Sequence, residues 1–316
     1  MRGISVAAAF GVALGVPAAA LVPQVPAPLS APAEQVIATR SDNTDRMTVP
    51  VSIAGKGPYH FVVDTGADRT VISRELANAL ALKPGGSVSM LSMGSVDMVE
   101  TAIIENLDLS TNRIFDIRAP MLSEANLSAQ GMLGTDSLRT KRVVMDFKAG
   151  RMTIVEADEP EQRFTDEIVV TAKRRFGQLI LVNADIEGEP LAVIVDTGSQ
   201  ATIGNAALRS RLLQAGALEK TQRVSLISVM GVEIPASYTQ IRRVRIGGVT
   251  VNNMPVAFAD AKPFHALGLT NRPALLLGMD VLRNFDRVSI DFANKRVRFL
   301  LPTPGANMPG TKLAAR

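Results

Sequence analysis

Apolar and polar positions alternate in short runs along most of the chain. Met47, Val49, Val51 and Ile53 are apolar at every second position, and the turn Gly55-Lys56-Gly57-Pro58 separates them from the apolar run Phe61-Val62-Val63. The same order returns at Ile180, Val182, Ala184 and Ile186, then Glu187-Gly188-Glu189-Pro190, then Val193-Ile194-Val195. A period of two is that of a half-buried strand. Each stretch therefore predicts a hairpin, and the second strand of each hairpin ends on an aspartate: Asp64 in one case, Asp196 in the other. Both open the triplet Asp-Thr-Gly, followed by Ala67 or Ser199.

Two further landmarks repeat in the same order. GMLGTDSL at Gly131 to Leu138 matches LLLGMDVL at Leu275 to Leu282, and Asp146-Phe147 matches Asp291-Phe292. Asp136 and Asp280 stand where an aspartate would cap a short helix. Three matched landmarks indicate a tandem duplication, with copies over 36–156 and 167–301. The acidic stretch 157–166 between them contains Pro160 and reads as an exposed linker. EIVVTAKRR, from Glu167, looks like the short box by which outer-membrane receptors engage an energy-coupling protein. It also lines up, at Val169 to Lys173, with Val36 to Arg40, and the preferred reading is the opening strand of the second copy.

The ends of the chain are different in character. Arg2, the apolar run Ile4 to Val16 and Ala18-Ala19-Ala20 read as a signal peptide over 1–20, with an uncleaved N-terminal anchor as the alternative. The run is short for a membrane span. Prolines 23, 26, 28 and 32 make 21–35 an extended tether, and the proline- and glycine-bearing tail 302–316 is expected to be mobile. The expected location is exported and periplasmic, without a membrane span after signal cleavage.

Composition removes several chemistries. With 47% hydrophobic residues in 316, the chain can build two modest cores. A formal charge of +4, basic clusters without interleaved aromatics, no Trp and two Tyr argue against nucleic acid as a partner. The absence of Cys excludes disulfides, thiolate metal sites and cysteine nucleophiles. His60 and His265 are too few for a zinc cluster or a Ser-His-Asp triad. No metal or cofactor is expected.

Apolar-apolar-Asp-Thr-Gly-Ala/Ser, followed later by apolar-apolar-Gly, resembles the aspartic proteases, and DTGADRTVI is most similar to the retropepsin-like branch. A single Asp-Thr-Gly also occurs in ordinary turns and in phosphate loops of sugar kinases and actin-like ATPases; two copies, each with its apolar-apolar-Gly partner, favour the protease family. The resemblance implies a bacterial exported protein with two fused retropepsin-like domains. Its fold would be all-β and bilobal, with two homologous β-barrel-like lobes related by a pseudo-twofold axis.

Asp64 and Asp196 would be the catalytic pair. Amide hydrolysis by water needs a base for the water proton and an acid for the carbonyl oxygen and the leaving nitrogen. Two carboxylates held within about 3 Å share one proton and offer both functions. Thr65, Gly66, Ala67, Thr197, Gly198 and Ser199 would support the loops: the glycines allow the tight turn, and in the family the threonines bond across the axis. The Ser199 hydroxyl is expected to donate to Asp196, leaving the shared proton more on Asp64. Relatives close hairpin flaps over the substrate, here Ser89 to Val96 and Ile227 to Glu233, with Met93, Gly94, Met230 and Gly231 as candidate flap or substrate-binding residues. Met90 and Met98 are further candidate pocket walls. The partner would be a peptide or protein substrate, bound extended. A monomeric single-chain pseudo-dimer is expected. The alternatives are a peptide-binding protein of the cell envelope that has lost turnover, and an obligate oligomer.

Overall fold

In the first repeat the predicted alternation closes into a barrel. The structure, a computed structural model, describes residues 40–41, 46–109, 112–175, 177–302 and 312–315. The signal peptide and tether read at 1–35 lie outside the described residues. Strands make up 53% and helices 11%, so the fold is all-β as expected. Met47–Ile53, Lys56–Val63, Gly131–Leu133, Val71–Ser73, Asn112–Leu122 and Val96–Leu109 pair in that order. Pairing of Ser52 with Asp108 and of Ile53 with Leu107 joins the last strand to the first and completes six strands. Met47, Val49, Val51 and Ile53 turn inward and are buried, as their period requires.

The second repeat follows the same path with one break. Gln178–Leu181, Ala192–Val195, Ala274–Leu277, Ile203–Gly204, Val249–Phe258 and Glu233–Ile246 are neighbours in sequence around the sheet, and Ala184–Ile186 returns to the last of them. The opening strand is bent at Val182-Asn183, with Asn183 at φ +63°. That bend shifts the phase by one residue. Leu179 and Leu181, not Ile180 and Val182, are buried before it, while Ala184 and Ile186 are buried after it as expected. Pairing of Thr48 with Val62 and of Ile180 with Ile194 makes Thr48 the counterpart of Ile180, one residue from the alignment that the sequence suggests.

The two lobes join through one antiparallel sheet. Its order is Arg151–Glu156, Lys141–Asp146, Arg287–Asp291, Arg296–Leu300 and Glu167–Arg175. Across the junction Asp146 faces Arg287 and Asp291 faces Arg142, two equivalent pairs about a pseudo-twofold axis near Val144 and Ser289. Glu167–Arg175 pairs with Arg296–Leu300 on one side and Gln178–Leu181 on the other, so EIVVTAKRR is a sheet strand here.

The tail departs from expectation, and so does one part of the connector, in which Asp158, Pro160, Gln162, Arg163, Thr165 and Asp166 are exposed as expected. Glu161 is not exposed: its side chain is 8% accessible and forms ion pairs with Arg142 and Arg298, while Ser289 Oγ donates to it at 2.6 Å. Arg287 also stands over the Phe164 ring, 5.1 Å from its centroid. Basic residues on the junction sheet thus hold an acidic segment down. In the tail, Lys312–Ala315 forms a strand paired with Val249 to Asn252, rather than a mobile end. One apolar cluster runs through both lobes and includes Val63, Leu133, Val195 and Leu277. Each such buried aliphatic side chain contributes about 1.5–3 kcal/mol, which fixes the strands that end at the two aspartates.

Candidate active site

Phe61, Val62 and Val63 lie parallel to Gly131, Met132 and Leu133, and Ala192 to Val195 lie parallel to Ala274 to Leu277. The ladder ends by donating the Asp64 N–H to Leu133 O at 2.9 Å and the Asp196 N–H to Leu277 O at 3.0 Å. Each aspartate therefore leaves a barrel at a fixed height. Behind each loop the second landmark acts as a brace. Asp136 accepts from the Thr70 N–H at 3.0 Å and its hydroxyl at 2.8 Å. Asp280 accepts from Thr202 in the same way at 2.9 and 2.7 Å. This corrects the capping role: the helix Met279–Leu282 has Gly278 at its N-cap and no side-chain cap. Gly134 and Gly278 are required by close approach, since a Cβ would lie 2.3 Å from the Arg69 backbone or 2.5 Å from Ala201 O.

The two loops hold each other. The Thr65 hydroxyl donates to Val195 O at 2.7 Å and accepts from the Thr197 N–H at 3.1 Å. Thr197 repeats both bonds toward Val63 O, at 2.6 Å, and the Thr65 N–H, at 3.1 Å. Four buried bonds thus cross the axis. Within each loop, the N–H groups of Gly66 and Ala67 donate to Asp64 Oδ1 at 2.8 and 3.0 Å. Those of Gly198 and Ser199 donate to Asp196 Oδ1 at 3.0 and 3.1 Å.

The carboxyl groups are crowded over the opposing glycines. A Cβ on Gly66 would stand 2.6 Å from Asp196 Cγ, and one on Gly198 would stand 2.2 Å from Asp64 Cγ. The two carboxyls act on each other's charge. Asp64 is 8% exposed and Asp196 7%, a narrow opening to solvent. Burial pushes both above the ordinary aspartate value, and the charge on Asp64 raises Asp196 further. This arrangement can hold one proton between two acids. Among the described residues no group of three or more His, Cys, Asp or Glu comes together as metal ligands.

The Ser199 hydroxyl does not reach the carboxylate. It donates to Ala201 O at 2.8 Å, so the expected hydroxyl bond to Asp196 is absent, and with it the ground for placing the proton on Asp64.

Two residues with no local sequence signal complete the site. Arg46, 5% exposed, donates to Gly198 O at 3.4 Å and also to Leu127 O. The Gln178 side chain donates to Gly66 O. Both lie at the start of an opening strand and grip the opposite loop. A pseudo-symmetric sequence comparison finds them only once the strand register is known.

The candidate flap residues lie at the tips of two hairpins. Lys83–Leu91 pairs with the first part of Val96–Leu109, and Gln222–Ile227 pairs with the first part of Glu233–Ile246. Each tip crosses to the other lobe. Met93 packs against the second lobe's cluster and its carbonyl accepts from the Lys262 N–H at 2.9 Å. Met230 packs against the first lobe's cluster, and the Cβ position of Gly231 is 3.0 Å from Asn126. The Cβ position of Gly94 lies 3.0 Å from Val232, so the tips also meet. Met90 is half-buried, whereas Met98 is 69% exposed.

The protein-family models divide along the same lines. Residues 49–140 match the gag-polyprotein putative aspartyl protease, and residues 182–281 match the aspartyl protease model. No curated protein matches the chain significantly. The two matches fall on successive lobes, each with its Asp-Thr-Gly loop, and the chain belongs to the retropepsin-like aspartyl proteases as a tandem pair of domains.

Proposed function

We propose that the protein is an aspartic endopeptidase in which one chain supplies both acids, Asp64 and Asp196, and works as a monomeric pseudo-dimer. The observation that carries this reading is the mutual packing of the two carboxyls over the opposing glycines, braced by the reciprocal threonine bonds. A pure binding protein has no use for two buried acids in contact, whose charging is opposed by burial.

The chemistry needs no other group. The ionised acid takes a proton from a water molecule, whose oxygen bonds to the scissile carbonyl carbon. The carbonyl electron pair moves to its oxygen, which takes the proton of the other acid. The resulting diol collapses as the C–N bond breaks: the nitrogen takes the proton held by the first acid and a diol hydroxyl gives its proton to the ionised one, which leaves one proton between the two carboxyls. Thr65, Thr197 and the loop N–H groups keep the acids in register, and Met93, Gly94, Met230 and Gly231 cover the peptide. Flap tips packed on opposite lobes support a closed cleft that must open to admit an extended substrate.

No helix among the described residues is long and apolar enough to cross a membrane. Export to the periplasm is part of the proposal and rests on the N-terminal signal-like sequence. Cleavage of a peptide library, followed by mass spectrometry in water enriched in heavy oxygen, tests the activity. The expected result is internal cleavage with one heavy oxygen in each new carboxyl terminus. A folded protein that cuts nothing across the pH range would refute it.

A further inference from the structure

We infer that the second lobe carries a binding pocket for an acidic side chain of the peptide substrate, with Arg209 and Arg223 as its cations. The inference deepens the protease reading and rests on it for the identity of the ligand.

The pocket is a cavity of about 630 Å³ lined by the helix Ala206–Gln214, the hairpin of Gln222–Ile227 and Glu233–Ile246, and the end of Val249–Phe258. Its volume falls within the roughly 300–1,000 Å³ of ligand sites. Phe258 is buried in its wall, while Arg209, Arg223 and Ser225 are exposed. Neither guanidinium makes a hydrogen bond or ion pair with a described residue, and the hydroxyls of Ser225 and Ser237 are also without a partner there. Among the described residues that line the cavity Asp260 alone is acidic, and it already bonds His265 Nε2 at 2.5 Å. The cavity therefore offers two uncommitted cations and two uncommitted hydroxyls.

Its position ties it to the cleft. The same hairpin carries Met230 and Gly231 at its tip, and Ile203–Gly204, the strand that follows the Asp196 loop, pairs with Ala257 and Phe258. Gln222–Ile227 is an edge strand. It pairs with Glu233 to Tyr238 on one side, and no described strand pairs with the other. An extended peptide can add to such an edge through its backbone while a side chain enters a pocket beside it. The planar fork of a guanidinium matches a carboxylate on that side chain.

The first lobe lacks these cations. Ser73 and Asn205 are equivalent N-cap residues, which makes Ala77 the counterpart of Arg209, and Ala77 is buried. Leu91 and Ile227 end the outgoing strands of the two hairpins, which makes Ser87 the counterpart of Arg223. Arg74, on the first lobe's corresponding helix, is paired with Glu100 at 2.8 Å. Recognition of an acid therefore falls on one side of a pseudo-symmetric cleft and gives the bound peptide a direction.

Cleavage of a peptide library by the full chain tests the inference. Cut sequences should carry Asp or Glu at one position, on one side of the scissile bond only. A cut peptide with Glu there and its Gln counterpart then give a ratio of kcat/KM. Exposed charge pairs are weak singly, and two together support a ratio of about tenfold, which should fall to about one in Arg209→Gln/Arg223→Gln. Arg209→Glu/Arg223→Glu should instead prefer a Lys counterpart. Lys56→Gln/Arg163→Gln removes two exposed cations elsewhere and should keep the ratio. A library without an acidic position, a ratio unmoved in Arg209→Gln/Arg223→Gln, or an equal loss in Lys56→Gln/Arg163→Gln would overturn the inference and leave the protease reading standing. Should the folded chain cut nothing, binding decides, with two fluorescent pools of short random peptides, one with a central Glu and one with a central Gln. Tighter binding of the Glu pool, lost in Arg209→Gln/Arg223→Gln, would keep the pocket and sink only the protease reading; equal binding of the pools would sink both.

Discussion

Gly198→Ala puts the closeness of the two acids under steric test. The added methyl would stand 2.2 Å from Asp64 Cγ, where ordinary contact begins at 3.4 Å. Asp64 cannot easily turn away, because the N–H groups of Gly66 and Ala67 hold one of its oxygens. The carboxyl or the whole loop must retreat by about 1 Å, a displacement that costs on the order of 10²-fold in rate. Gly66→Ala starts from 2.6 Å against Asp196 and needs a smaller retreat. Neither glycine has a left-handed backbone, so alanine is conformationally allowed and the effect is steric. Stability should fall by about 1–3 kcal/mol, as for overpacking elsewhere. Measuring kcat/KM on a peptide chosen from the library, with thermal unfolding alongside, should rank wild type above Gly66→Ala and Gly66→Ala above Gly198→Ala. A folded Gly198→Ala protein with wild-type kcat/KM would show that the acids are not packed against these glycines.

The other predictions concern the frame around the pair. Glu161→Gln leaves Arg142, 5% exposed, short of its counter-charge and weakens the pairing of Arg298, so urea unfolding should show a loss approaching the roughly 3–5 kcal/mol typical of a broken buried pair; a loss under 1 kcal/mol would mean that the connector is not clamped. Thr65→Val removes a donor and an acceptor from the crossing bonds and should cost about 1–3 kcal/mol, with Thr65→Val and Thr197→Val non-additive in a double-mutant cycle because they share partners. Strict additivity would count against reciprocal bracing. The raised carboxyl values also set a pH dependence. The folded state keeps protons that the unfolded chain releases above the ordinary aspartate value of 3.8, so this pair's contribution to stability falls as pH rises from there. Asp196→Asn should therefore melt higher than wild type at neutral pH and lose that advantage in acid; the opposite trend would contradict the burial effect.

The parts legible in sequence were those that backbone geometry demands locally. Asp-Thr-Gly needs small residues where two loops touch, and the glycines of GMLGTDSL and LLLGMDVL are forced by contact with Arg69 and Ala201. Repetition then located both loops, their hairpins and the all-β class. What escaped depends on contacts between distant segments. Arg46 reaches a carbonyl 152 residues away, and Glu161 meets arginines on strands from both lobes. An acidic run with a proline looks like a solvated linker until the basic sheet under it is known. The phase slip at Asn183 was hidden because Leu179, Ile180, Leu181 and Val182 are all apolar, so either alternate set fits a period of two. Ser199 misled because its hydroxyl has a nearer carbonyl to satisfy.

Peptide cleavage by Asp64→Asn and Asp196→Asn, each checked for native folding and compared with wild type, tests the central claim most directly. Cleavage should disappear in both, since each lobe gives one half of the acid pair. Continued cutting by either folded variant would contradict a mechanism in which both carboxyls take part.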